Sequence, residues 1–339
     1  MNIAFVYNVR HLKPALNDPK AQAEAEYDTP ETIAWMKESL EKLGHTVHEV
    51  EATTATYEKL RALKKSYSDL LVFNYSEGIG GNDHEAQISA ICEILDLTYT
   101  GSSVLTSAII LNKARTKEIL KNYHIPTPEW IIINPISLIT PIALSYPLIV
   151  KPNSEGSSKG IFNNNVVNNL EELTNVVTKI RDGLQGSVLL ETYLPGREFT
   201  VAMLRDQDAW RVLPIIEVKF DELPDGMYPI DSYEVKWIYD SPENKIEPLE
   251  CPAKIDDKLR QRIKDICIRT CEALEVRDYC RIDVRLDAND NPYVLEVNSP
   301  PGMAPNPAEN SRFPYAARKA GMTYEELLDK IIQSALRRR

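Results

Sequence analysis

The sequence is short of several features that would place it at once. It has no CxxC pair. Its five cysteines, Cys92, Cys251, Cys267, Cys271 and Cys280, show no disulfide-like spacing either. Cys267 and Cys271 fall one turn apart on an expected helix, so the set reads as reduced core thiols of a cytoplasmic protein. Cationic excess is also missing. Against 39 Lys and Arg stand 50 Asp and Glu, a net charge of −11, which argues against a nucleic-acid face and against an anionic lipid surface. Residues 130–150 carry no charge, but Pro135, Pro141 and Pro147 interrupt them, so no membrane-spanning helix is expected. MNIAFVYNV lacks a basic n-region and reads as a first strand rather than a secretion signal. There is no internal repeat and no low-complexity tract. The five histidines are scattered and form no nucleophile pattern.

What is present divides the 339 residues into more than one domain. IAFVYNV, a helix over 29–44, TVHEVEA, a helix over 54–66 and a strand over 69–76 alternate as β-α-β-α-β. That order predicts a doubly wound parallel sheet over about residues 1–110. Thr29 suits an N-cap, Pro30 the first helical position and Gly44 the C-terminal stop. Ligands of such sheets bind beyond the carboxyl ends of strands. The long polar run after the first strand, with Glu26 and Asp28, and Glu77 with GIGG (78–81) after the third, are therefore candidate substrate segments. From about residue 100 strands and helices no longer alternate simply, and the pattern turns α+β. Helices are expected over 111–123, 169–185, 256–276 and 324–337. AWRVLPIIEVKF is read as one strand.

RIDVRLDANDNPYVLEVNSPPG (281–302) is predicted to be a hairpin turning at Asn289-Asp290. Pairs then sum to 579. One face carries Ile282, Val284 and Leu286 against Val297, Leu295 and Tyr293. The other sets Arg281 against Asn298 and Asp283 against Glu296. Like charges opposed at about 5 Å destabilise a sheet. Two resolutions remain open at this point. Either Asp283, Glu296 and Asn298 supply oxygens to Mg²⁺, or Arg281 and Arg285 make the face a structural ion-pair layer.

YPLIVKPNSEGSSKGI (146–161) is a strand that delivers Lys151 to a loop of small residues, Gly156, Ser157, Ser158 and Gly160. Such a loop can bring backbone N–H groups to phosphate, or can be an ordinary turn. It is not the P-loop, since GxxxxGK[ST] is absent. Lys113, in ILNK, is a further cation or a plain helix lysine. In VLLETYLPGREFTVAML (188–204), Glu191 and Glu198 flank a Leu194-Pro195-Gly196 turn, where carboxylates could accept from an adenine amino group or ribose hydroxyls.

In order, ILNK, VKPxxEGSSxG, LLExxLPGREFTV, RIDVRLDxxxxPYVLEVNxxPGM and FPYAARKAGM resemble the D-alanine–D-alanine ligase family of the ATP-grasp superfamily. The resemblance runs from about residue 99 to the C-terminus. It implies an ATP-grasp fold, with a Rossmann-like domain over 1–110 and two subdomains, 111–187 and 188–339, that clasp ATP. It implies phosphate-binding lysines at Lys113 and Lys151, a phosphate-covering loop at Glu155, Gly156, Ser157 and Ser158, with Ser157 orienting substrate, and nucleotide contacts at Glu191, Leu194 and Glu198. Lys236 matches a lysine on a closing loop. Asp283, Glu296 and Asn298 match the ligands of two Mg²⁺ ions, which Mn²⁺ can replace. Arg281 and Gly302 match the groups that meet a developing oxyanion. The implied reaction makes an amide between two amino acids through an acyl phosphate, in a cytoplasmic homodimer.

The departures cluster. The first-strand loop lacks GGxSxE, leaving Glu26 and Asp28 as candidates. Glu77 stands where the family has histidine, Trp237 follows the lid lysine in place of tyrosine, and Ser311-Arg312 replaces Ser-Leu. All fall where amino acids bind, and none in the ATP site. The expected product is D-Ala-D-Ala or another amide made by the same mechanism. A regulator that binds ATP without turnover, and a kinase that stops at phosphorylation, are the alternatives.

Overall fold

Helix boundaries follow local chemistry. The computed structural model describes residues 1–13, 21, 24, 26–134, 143–184, 186–239, 248–309 and 311–338, without the side chains of 184, 237 and 238. Strand β1 (Asn2–Tyr7) leads through a long loop to α1 (Pro30–Lys42). Thr29 caps α1 by accepting the Thr32 N–H at 3.2 Å, and Gly44 ends it at φ +83°. β2 (Thr46–Glu51), α2 (Thr56–Ser66), β3 (Leu71–Tyr75), α3 (Gln87–Ile94) and β4 (Thr98–Tyr99) follow. The sheet order is β2-β1-β3-β4, all parallel, as the alternation requires. Period two sorts β1: Ile3 and Phe5 pack with Ile33, Met36 and Leu40 of α1, while Ala4 and Val6 pack with Leu60 of α2 and Ile88 and Cys92 of α3.

Next come α4 (Val104–Leu111) and α5 (Lys113–Asn122). The helix expected over 111–123 is present as Lys113–Asn122, but it does not begin at 111. Asn112 instead caps a new helix, its Oδ1 accepting the Arg115 N–H at 3.1 Å, so the apolar α4 and the basic α5 are separate. β5 (Trp130–Ile133), β6 (Leu148–Pro152), β7 (Val166–Val167), α6 (Leu170–Leu184) and β8 (Val188–Thr192) build an antiparallel sheet of order β5-β8-β6-β7. Of the three prolines expected to break the uncharged run, Pro135 and Pro141 lie outside the described residues. No helix among the described residues is long and apolar enough to cross a membrane.

The last sheet holds β9 (Glu198–Asp206), β10 (Ala209–Val212), β11 (Ile216–Val218), β12 (Leu249–Glu250), β13 (Tyr279–Leu286) and β14 (Pro292–Asn298), with α7 (Asp257–Ala273) before β13. AWRVLPIIEVKF is two strands, not one. Pro214 lacks the N–H a ladder needs, so β10 and β11 both pair with β9, separately. Phe199, Val201 and Met203 of β9, with Ile282, Val284 and Leu286 of β13, face α7. The opposite face of β9 runs Glu198, Thr200, Ala202, Leu204. Its Ala202–Leu204 end lies under α8 (Arg312–Lys319) and α9 (Tyr324–Arg337), which also cover β1 and α1. Leu327, Leu328, Ile331 and Ile332 of α9 are fully buried there. Its Glu198–Thr200 end opens into a cleft.

The hairpin keeps the expected register for its first three pairs, Arg281 with Asn298, Ile282 with Val297 and Asp283 with Glu296. A bulge then shifts it: Val284 pairs Val294, Arg285 pairs Tyr293 and Leu286 pairs Pro292. Leu295 therefore turns away from the core and joins Glu296 on the cleft wall. The turn spans Asp287–Asn291 rather than two residues, closed by Asp287 Oδ1 accepting the Asn289 and Asn291 N–H groups, each at 2.8 Å.

Candidate active site

Two cavities meet in this cleft. The inner one lies between the two antiparallel sheets, and the outer one, enclosing about 440 Å³, lies against the loops that follow β1 and β3. Glu155 and Glu296 line both.

Alternation along β6, β8, β9 and β13 brings charge into the inner cavity. Glu191 is 1 % exposed and sits 2.7 Å from both Lys117 Nζ and Lys151 Nζ. Burial would raise its pKa, but the two ammonium groups override that and hold it at about 2. Glu198 Oε2 accepts from Arg285 at 2.6 Å, and the Arg285 Nε–H donates to the Leu194 carbonyl at 2.6 Å. The same guanidinium lies 5.2 Å from the Tyr193 ring centre. Asp283 is held by Arg281 through Nε at 3.0 Å and Nη2 at 2.8 Å, by the Thr200 hydroxyl at 2.6 Å and by Asn298 Nδ2 at 3.3 Å. Burial pushes the Asp283 carboxyl up, yet the Arg281 guanidinium drives it well below the usual carboxylate range. Glu296 lies 3.7 Å from Lys113 Nζ.

The loop after β6 roofs the junction. Ser157 and Ser158 hold φ of +52° and +58°, a conformation costly for a side chain that persists where surroundings fix it. Four contacts fix it. Lys113 Nζ donates to the Glu155 carbonyl at 2.5 Å, and Ser158 Oγ donates to the Asp231 carbonyl at 2.8 Å. Lys159 Nζ bridges Glu26 at 2.7 Å and Glu155 at 3.2 Å. Arg312 pairs with Asp231 at 2.8 Å, so the loop that carries Lys236 is tied to the start of α8.

The outer cavity owes its wall to the ends of β1 and β3. Asn8 links their loops: its Nδ2 donates to the Gly78 carbonyl at 3.0 Å, and its Oδ1 accepts the Glu77 N–H at 2.9 Å. Only glycine fits at 78, since φ is +92° and a Cβ would meet the His84 carbonyl oxygen at 2.0 Å. This wall is acidic. Asp28, hydrogen-bonded by the Tyr75 hydroxyl, is raised by burial to about 6. Burial and then the neighbouring Glu26 carry Glu85 up to about 8 and Glu77 well above its usual value.

Comparison with known proteins fits this arrangement. A family model described as D-ala D-ala ligase C-terminus matches residues 119–333. A D-alanine–D-alanine ligase of Aquifex aeolicus is 32 % identical over 296 residues, covering 87 % of this chain and 91 % of its own. The chain belongs to the D-alanine–D-alanine ligase family. It is an ATP-grasp ligase. An uncharacterised protein of Sinorhizobium fredii is 34 % identical over 268 residues, 79 % of this chain and 75 % of that one. The crystal structure of D-alanine–D-alanine ligase from Bacillus anthracis complexed with ATP shares the fold, with a TM-score of 0.73 at 24 % identity, covering 99 % of this chain and 98 % of that one.

For this ligase, the expected site residues fall into the two cavities. Lys151, Ser158, Glu191, Leu194, Glu198 and Asp283 line the inner one, and Glu155 and Glu296 line both. Lys113, Gly156, Ser157, Lys236, Arg281, Asn298, Gly302, Ser311 and Arg312 line the outer one, with Glu26, Asp28 and Glu77. The Trp237 side chain lies outside the described residues. Both readings of the hairpin face meet here, since Arg281 and Arg285 pair with acids while Asp283 and Glu296 still face the cleft. Two carboxylates and an amide in register across one hairpin are hard oxygen donors that suit Mg²⁺, with positions left for phosphate and water. Sequence reasoning missed Lys117, Lys159, Glu85 and Asp231. Lys117 stands one helical turn beyond ILNK, and Lys159 stands inside EGSSKG. Glu85 had no spacing signal at all.

Proposed function

We propose that this protein is an ATP- and Mg²⁺-dependent ligase that joins two amino acids by an amide through an acyl phosphate. One observation carries the reading. The inner cavity, with Lys151, Glu191 and Glu198, and the outer cavity, with Arg281 and Gly302, share the walls at Glu155 and Glu296. A nucleotide in the first thus ends where an amino acid in the second begins.

In this reading Asp283, Glu296 and Asn298 hold Mg²⁺, two ions in all, which neutralises phosphate charge when bound. Lys113 and Lys151 face the phosphates from the other side, and the 154–160 loop keeps water out. A substrate carboxylate oxygen attacks the γ-phosphorus, and ADP leaves with the electron pair of the broken P–O bond. The amine of the second amino acid attacks the acyl carbon. Arg281 and the Gly302 N–H meet the oxyanion of the tetrahedral centre, phosphate departs, and the amine's proton passes to solvent or phosphate. Ser157 orients the substrate from the loop, and Lys236, whose pKa is lowered by burial and by Arg281, closes the site from the Asp231 side.

Mn²⁺ is expected to substitute, because it takes the same oxygen ligands. The five cysteines are free and buried, which suits the cytoplasm. The homodimer implied by the family pattern belongs to this proposal too. D-alanine, named for the relatives, is the first substrate to try. The test is ADP release from ATP, Mg²⁺ and paired amino acids, with mass spectrometry of the product. Asp283→Asn and Glu296→Gln should each lower turnover by about 10² or more. Near-normal rates in both would remove the metal assignment.

A further inference from the structure

The outer cavity is lined by more carboxyl groups than one α-amino group can use. Glu26 is 4 % exposed, and its Oε2 has no hydrogen-bond partner among the described residues. That oxygen lies 3.2 Å from where a Cβ on Gly156 would be, against the roof of the cavity. Lys159, which takes the other Glu26 oxygen, is shared with Glu155. Glu77 and Glu85 line the same wall, and among the described residues neither carboxylate makes an ion pair or a hydrogen bond. The two lysines that act on Glu85 are already engaged, Lys159 with Glu26 and Lys113 with Glu296, and Arg10 lines the same cavity.

Among the described residues no three acidic, histidine or cysteine side chains stand close enough to hold an ion. Carboxylates spread over a wall suit an organic cation with more than one donor instead. An alanine methyl there would leave the buried Glu26 oxygen without a partner, which is costly. Glu77 also stands where the family pattern has histidine, so the charge of this wall differs from that pattern.

Resting on the ligase reading above, we propose that one of the two amino acids joined by this enzyme is basic. Its side-chain ammonium or guanidinium lies among Glu26, Glu77 and Glu85. Burial and then the neighbouring Glu26 raise the pKa of Glu77 and Glu85 in the free enzyme, and the second positive charge of the substrate favours their ionised forms.

The experiment uses the full chain with ATP and Mg²⁺. ADP release and product mass are followed for D- and L-alanine and serine, and for D- and L-2,3-diaminopropionate, ornithine, lysine and arginine, alone and in pairs. The best basic amino acid should exceed alanine in kcat/KM by about tenfold or more, and should appear in the amide product. Glu77→Gln and Glu85→Gln should each raise KM for that substrate about tenfold or more, with kcat reduced far less. An enzyme that forms alanine amides as well as or better than any amide containing a basic residue overturns this inference and leaves the ligase reading standing. If no amino acid in the panel stimulates ADP release, the ligase reading fails and takes the inference with it.

Discussion

The inner and outer cavities share one cleft but treat charge in opposite ways. In the inner cavity each acid has its cation: Glu191 has two lysines, Glu198 has Arg285, and Asp283 has Arg281. In the outer cavity Lys159 is divided between Glu26 and Glu155, Asp28 leans on a neutral phenol, and Glu77 and Glu85 have no ionic partner among the described residues. Self-paired charges are fixed before any ligand arrives, so they position without reorganising. Unpaired ones store an electrostatic penalty that a proton or a ligand of the right sign removes. The nucleotide side is therefore built for one constant partner, and the amino-acid side is where identity is decided.

The sharpest way to break this contrast is to take one acid from each side. Glu191→Gln leaves Lys117 and Lys151 buried beside each other with no neutralising charge. Removing one partner of a buried ion pair costs about 3–5 kcal/mol, and denaturant unfolding of the free enzyme should show a loss of that size. Glu77→Gln removes a charge that the fold already disfavours, so its unfolding midpoint should stay level or rise. A Glu191→Gln variant within about 1 kcal/mol of wild type would erase the distinction.

The same contrast explains what could be read from the sequence. The inner cavity was legible because its residues sit on strands, where period two fixes the face. Asp283 and Glu296 followed from one hairpin and Lys151 from the strand that ends at its loop, while the role of Glu191 came from the family pattern. The bulge at Leu295 was not legible, since nothing in PYVLEVN marks an extra residue, and its consequence is an apolar wall in the inner cavity. Pro214 was a signal passed over: a proline cannot sit mid-ladder, so AWRVLPIIEVKF had to divide. The outer cavity depends on loop residues far apart in the chain. Lys159 meets Glu26 across 133 positions, and no local period encodes such a pair. Glu26 and Glu77 were found only as loop positions beyond strand ends and as departures from a family pattern, and Glu85 through nothing.

A smaller effect separates the two sides by pH. Glu191 titrates near 2 in the fold against an ordinary value of 4.5, so it contributes stability that is present above about 4.5 and lost as pH falls toward 2. Glu85 behaves in reverse. Its folded value is raised to about 8, so between 4.5 and 8 the folded state holds a proton that the unfolded chain has released. Stability from that proton is present below 4.5 and is lost as pH rises through about 8. One such proton sets a slope of at most about 1.4 kcal/mol per pH unit. Asp28, raised to about 6, acts in the same sense over a narrower window. Unfolding midpoints of the free enzyme at pH 5, 6.5 and 8 should therefore decline, and Glu85→Gln should flatten the decline without touching the acid limb below pH 4.5. A saturating basic amino acid should flatten it too, because its second cation favours the ionised carboxyl. An unchanged slope in Glu85→Gln would place the penalty elsewhere and return the outer cavity to the self-sufficiency of the inner one.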